Sequence, residues 1–151
     1  MKHLLIVYHS GSGKTGRMAA AVCAGATRET GVETRLQLAF DSGLDDLLWA
    51  DGLIFGTPEN FGYMSGALKD FFDRTFYPAE AHRLNLPYCL FVGAGNDGSG
   101  AVREVERIAQ GYPLRKITEP VVAVGSLTAT HLHACTELGE TMAAGLALGI
   151  F

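Results

Sequence analysis

Six consecutive residues, Ser10-Gly11-Ser12-Gly13-Lys14-Thr15, place three hydroxyls, two glycines and an ammonium in one short stretch. They follow the apolar run Leu4-Leu5-Ile6-Val7-Tyr8 and precede Arg17, Met18, Ala19 and Val22, which open a helix. A buried strand therefore delivers a glycine- and hydroxyl-rich loop to a helix N-terminus. Glycines let the backbone curl until several N–H groups converge, hydroxyls add donors, and the helix dipole presents its positive end. The chemistry expected of Ser10, Gly11, Ser12, Gly13, Lys14 and Thr15 is capture of a phosphate. A nucleoside-triphosphate loop needs G-x-x-x-x-G-K-[ST], but Tyr8, inside the strand, stands at its first glycine position. The loop is too short to wrap a polyphosphate, and one terminal phosphate is the expected ligand.

Two further loops carry chemistry. One reads Gly56-Thr57-Pro58-Glu59-Asn60-Phe61-Gly62-Tyr63-Met64-Ser65-Gly66. Pro58 stiffens it, Gly62 permits close backbone approach, and Phe61 and Tyr63 offer aromatic surface. The other reads Gly93-Ala94-Gly95-Asn96-Asp97-Gly98-Ser99-Gly100. Its glycines can aim several amides at one acceptor edge, and Asp97 or Ser99 can cap the helix that follows.

The elements that must position these loops alternate between short branched apolar runs and helix-period segments, the signature of a parallel α/β sheet. Strands are expected at 3–9, 32–38, 52–56, 88–92 and 121–124. The first helix is expected over 14–30 with Gly31 as its C-terminal cap, and a short second helix over 44–50. Val32, Thr34, Leu36 and Leu38 alternate with Glu33, Arg35 and Gln37 as in an edge strand. Leu68, Phe71, Phe72 and Thr75 form the buried stripe of a third helix, with Lys69, Asp70 and Asp73 facing out. Ala101, Val105 and Ile108 do the same for a fourth, and Leu138, Met142 and Leu146 for a fifth. Five such units form a doubly wound sheet of order 2-1-3-4-5 with helices on both faces. That order brings the loops after strands one, three and four to the carboxyl edge, at the switch point where ligands bind.

The chain has 151 residues, 48% of them apolar and 19% charged, consistent with one domain over 1–151. A formal net charge of −4 argues against nucleic-acid binding. No apolar stretch approaches the roughly 20 residues that span a bilayer, and the N-terminal run is a strand rather than a signal peptide. Cys23, Cys89 and Cys135 lack disulfide or zinc spacing, which suits a reducing cytoplasm. His131 and His133 would share a face on a strand but not on a helix, with only Cys135 and Glu137 nearby, so no metal site is expected. His9 precedes the first loop and reads as a strand-end polar residue.

The phosphate loop fits [ST]-x-[ST]-G-x-[ST]. Together with Gly56-Thr57-Pro58, Phe61-Gly62 and the run from Met64 to Arg74, it resembles the flavodoxin-like NAD(P)H-dependent FMN oxidoreductases. The likeness is strongest to the quinone reductases first named as tryptophan-repressor-binding proteins, and it spans nearly the whole chain in order. The resemblance implies FMN as cofactor, its phosphate on Ser10 to Thr15. It implies an isoalloxazine against Thr57, Pro58, Glu59, Asn60, Phe61 and Gly62, with Gly95, Asn96, Asp97, Gly98 and Ser99 closing the other edge. NAD(P)H is then the electron donor and a quinone or similar small molecule the acceptor, with Phe61 and Tyr63 on the acceptor side. No side-chain acid or base is required, because the cofactor carries the chemistry. A homodimer or higher assembly is implied as well. Those quinone reductases are longer, with an extra segment before the last strand, and this chain has little room for it. The alternative is a flavodoxin-type electron carrier with a redox protein partner. Such carriers ring the flavin with acidic residues, and here only Glu59 and Asp97 stand in the second and third loops.

Overall fold

The computed structural model describes residues 1–151. Strand β1 (Lys2–Tyr8) lies inside the sheet, and Leu4, Leu5, Ile6 and Val7 are fully buried. A strand covered on both faces needs an unbroken apolar run, and this one has it. Around it the sheet runs β2 (Val32–Leu38), β1, β3 (Gly52–Pro58), β4 (Leu86–Ala94), and then an outer position shared by two short strands. All pairings are parallel. The expected order 2-1-3-4-5 is therefore the order found.

The outer position differs from the expectation. β5 (Leu114–Lys116) pairs with Leu86 to Tyr88, and β6 (Val121–Val124) pairs with Phe91 to Ala94, so two strands share the flank of β4. The ladder runs on to the Ile117 amide, which donates to the Tyr88 carbonyl at 3.1 Å. It then breaks before Pro120, which has no N–H to donate. Three residues reading Leu-Arg-Lys carry too little apolar pattern to be recognised as a strand beforehand.

Five helices cover the two faces: α1 (Lys14–Ala26), α2 (Leu44–Trp49), α3 (Gly66–Glu80), α4 (Ser99–Gly111) and α5 (Ala129–Leu148). On one face Leu5, Val7, Phe55, Leu90 and Val92 pack with Leu47, Leu68, Phe71, Phe72 and Val105 from α2, α3 and α4. On the other Leu4, Ile6, Ile54, Cys89 and Phe91 meet Met18, Val22, Leu138 and Met142 from α1 and α5. The predicted stripe Leu68, Phe71, Phe72 and Thr75 is wholly buried. Thr75 satisfies its hydroxyl on the Phe71 carbonyl and the Tyr112 hydroxyl.

Two local expectations need correction. α1 ends at Ala26 with Thr27 as its cap, not at 30 with Gly31. The Thr27 hydroxyl bonds back to the Ala24 carbonyl, and the Gly31 amide is held by the Glu29 carboxylate beyond the helix. On β2, Val32 is buried but Leu36 and Leu38 are 37% and 44% exposed. The expected apolar-in alternation therefore fails in the carboxyl half of the strand, where Leu36 and Leu38 face solvent while Arg35 and Gln37 are partly covered.

Candidate functional site

The carboxyl ends of β1, β3, β4 and β6 open into a cavity of ≈ 500 Å³. Ser12, Lys14 and Thr15 line it from the first loop, and Pro58, Glu59 and Asn60 from the second. Gly93, Ala94 and Gly95 line it from the third, and Gly125 and Ser126 from the turn after β6. The first three groups are the anticipated ones. The fourth is additional to them: Gly125-Ser126 directly follows the last apolar run, at the same edge as the other loops.

In the first loop, Gly13 sits at the helix N-cap with φ 101, in the left-handed region that favours glycine. Its amide and that of Gly16 both donate to Ser10 Oγ, at 3.2 and 3.0 Å. Ser10 is thus the internal brace of the loop. The Arg17 amide reaches the Gly13 carbonyl at 3.0 Å. The amides of Ser12, Lys14 and Thr15 have no acceptor within the chain. Ser12 is exposed and Thr15 buried, and both line the cavity. Three open amides and two hydroxyls at a helix head form a nest for an anion.

Lys14 behaves differently from its neighbours. Its Nζ donates to the Ala94 carbonyl at 3.0 Å, the Ala123 carbonyl at 2.8 Å, and the Gly125 carbonyl. All three ammonium protons are engaged. Partial burial lowers its pKa from the usual lysine value.

The second loop is tightly self-bonded. Thr57, fully buried, accepts from the Ser65 amide at 2.9 Å and donates to the Pro58 carbonyl at 2.8 Å. Asn60 and Tyr63 exchange backbone hydrogen bonds of 2.8 and 3.0 Å around a two-residue turn. Phe61 (φ 52) and Gly62 (φ 71) occupy that turn, both at positive φ as a primed hairpin turn demands. A bulky residue there is strained by about 1–2 kcal/mol. Phe61 pays that cost with its ring wholly in solvent, at 109% exposure, while Tyr63 is half-buried.

Glu59 turns its side chain to the head of α4. One oxygen accepts from the Gly98 amide at 3.3 Å; the other accepts from Gly100 and Ala101 at 3.1 and 3.3 Å. The Asp97 carboxylate takes the Ser99 amide at 2.9 Å and its hydroxyl at 2.8 Å, and these bonds hold its pKa below the ordinary value. Neither Asp97 nor Ser99 is the N-cap expected of one of them: Gly98 (φ 75) takes that place, and Asp97 holds the amide of Ser99, the first helical residue, from one position earlier. The amides of Gly95 and Asn96 remain without acceptors in the chain, on exposed backbone. The second and third loops also touch directly. A Cβ on Gly100 would lie 1.9 Å from the Gly62 carbonyl oxygen, so only glycine permits this approach.

The other singled-out residues lie apart from the cavity lining. His131 accepts the Thr128 amide at the start of α5, and His133 pairs with Glu137 at 2.9 Å. His9 sends its amide to the Gly56 carbonyl and its ring edge toward Phe40, 6.3 Å between centroids. Trp49 stacks on His3 at 4.3 Å with Arg35 over its ring. Burial pushes the Cys89 thiol up.

A family model described as NADPH-dependent FMN reductase matches residues 37–127. A flavodoxin of Aquifex aeolicus is 35% identical over 100 residues, covering 66% of this chain and 54% of the relative. A quinone-type NAD(P)H dehydrogenase of Acidithiobacillus ferrooxidans is 34% identical over 95 residues, 50% of this chain and 48% of the relative. The chain spans about half the length of the curated relatives it matches. Among solved structures, a flavodoxin from the domain Archaea superposes with a TM-score of 0.84 at 21% identity, over 95% of this chain and 98% of that one. At that identity the likeness shows the fold. No helix is long and apolar enough to cross a membrane.

Proposed function

The chain belongs to the NADPH-dependent FMN reductase family, and from that premise we propose that it is an FMN-dependent oxidoreductase. It takes hydride from NAD(P)H and passes electrons to a quinone or similar small acceptor. Residues 1–151 act as one FMN-binding domain. The observation that carries this reading is the open nest at the head of α1, where the Ser12, Lys14 and Thr15 amides have no acceptor beside the Ser12 and Thr15 hydroxyls. That donor set suits one dianionic phosphate and needs no metal. The ≈ 500 Å³ cavity beyond it, walled by Pro58, Asn60 and Gly93 to Gly95, has room for a planar ring system.

When bound, FMN supplies the hydride and electron chemistry. The chain's own residues do the rest. The nest fixes the phosphate, Pro58 and the Asn60–Tyr63 turn wall the ring side, and the free amides of Gly95 and Asn96 offer donors to an anionic ring edge. Phe61, strained and solvent-facing, and Tyr63 beside it present an aromatic wall to a flat acceptor. Three free thiols, two of them buried, fit a reducing cytoplasm.

The electron-carrier alternative is favoured by the near-complete overlap with the archaeal flavodoxin fold. It is opposed by the sparse acidic surface at the cavity, where Glu59 is already engaged with α4. Anaerobic NAD(P)H oxidation with a water-soluble quinone separates the two. Turnover that requires added FMN supports the reductase, and an FMN-loaded protein inert to both nucleotides supports the carrier.

A further inference from the structure

Lys14 stands where a phosphate-binding lysine is expected, yet its ammonium points to the protein. It donates to the carbonyls of Ala94, Ala123 and Gly125, which close the carboxyl ends of β4 and β6. Its stem runs across Gly93, whose missing Cβ would lie 3.5 Å from Lys14 Cδ and Cε. An ammonium has three protons and no acceptor capacity, so none is left for an anion.

Resting on the FMN reading above, we propose that the Lys14 side chain is a positioning group that clamps the β4 and β6 ends into the cavity wall, and that its ammonium, unlike its backbone amide, does not ligate the phosphate. The physical reason is electrostatic. Three carbonyl oxygens converging on one point repel one another, and an unneutralised carbonyl rim would also face an incoming anion. The cation removes both penalties, and the Gly125 amide adds a second tie to the Ala94 carbonyl at 2.9 Å. The phosphate is left to the open amides and to Ser12 and Thr15.

The two roles differ in how they treat riboflavin, which has the ring but no phosphate. Binding of FMN and of riboflavin is measured for the wild type and for Lys14→Met at about 0.5 M salt, where long-range attraction is screened. A clamp predicts that both flavins weaken by about tenfold or more, as charge-assisted bonds are lost, with their affinity ratio unchanged. A drop confined to FMN, with riboflavin unaffected, overturns the proposal, as does unchanged binding of both. Lys14→Arg keeps the charge and several N–H donors and should restore binding of both flavins in part, whereas Lys14→Gln should not. An arginine variant no better than glutamine counts against the clamp. Hydrogen exchange on the flavin-free protein gives an independent arm. The Gly125 amide should exchange faster in Lys14→Met while the β1 amides do not change, and an unaltered Gly125 amide refutes the clamp. If the wild type binds neither flavin, the FMN reading fails, and this exchange measurement still decides the role of Lys14.

Discussion

Two strand-to-helix junctions at the carboxyl edge look alike and differ in one respect. Each carries a glycine in the left-handed region at the helix N-cap, Gly13 before α1 and Gly98 before α4. At α4 the chain fills the site itself: Glu59 accepts from Gly98, Gly100 and Ala101, and Asp97 accepts from Ser99. At α1 no carboxylate arrives, the first turn holds no acidic residue, and the Ser12, Lys14 and Thr15 amides stay open. A positive helix end binds whichever anion is supplied. One junction received its anion from the chain and became scaffold; the other keeps its donors open to the cavity.

The largest effect should come from the open junction. Changing Ser12 and Thr15 together to alanine removes two hydroxyl donors, each worth about 1.5–3 kcal/mol to a dianion. FMN affinity by fluorescence titration should fall by at least tenfold, with riboflavin affinity nearly unaffected. An unchanged FMN affinity would break the contrast, because the phosphate would then lie elsewhere.

At the closed junction, Gly100→Ala drives a methyl into the Gly62 carbonyl. Overpacking of this kind costs about 1–3 kcal/mol, read as a lower urea midpoint. Gly11→Ala, where a Cβ would meet nothing within 4 Å, is the control and should change stability far less. Equal costs would show that the two loops are not differently packed.

Glu59→Gln sharpens the comparison further. The amide keeps an acceptor oxygen but loses the charge at the α4 head, an expected loss of about 1 kcal/mol in stability. FMN affinity should change little beside the double alanine variant. A collapse of FMN binding would mean that Glu59 serves the ligand as well as the helix.

The smallest effect concerns pH at Asp97, whose native pKa is depressed from 3.8, first by the Ser99 amide and then by its hydroxyl. A depressed carboxylate stabilises the fold above its unfolded value and loses that contribution as pH falls through the native value. The stability difference between wild type and Asp97→Asn should therefore be present at pH 5 and shrink progressively below pH 3.8. A difference that stays constant down to acid unfolding would remove Asp97 from the capping scheme.

The predicted sheet order and the buried stripes of α3 and α5 are as found, because they depend on periodicity and burial, which are written residue by residue. Positions needing φ > 0 were partly legible: glycine marked Gly13, Gly62 and Gly98, but nothing in a phenylalanine announces the φ of 52 at Phe61. The split outer position was hidden because a three-residue strand has almost no pattern. The Gly125-Ser126 wall has no pattern of its own in two residues, and its place at the cavity follows from the pairing of β6 with β4.

The sequence by itself determined where the strands deliver their loops and that the first loop gathers hydroxyls and glycines at a helix head, since both follow from local spacing and chemical type. Only the tertiary structure decided which polar groups remain free to use. Glu59 lies 39 residues before Gly98, and Lys14 lies 80 before Ala94 and 111 before Gly125. A carboxylate or ammonium satisfies whichever partner folding brings to it, and hydrogen bonds act over about 3 Å in space regardless of separation along the chain.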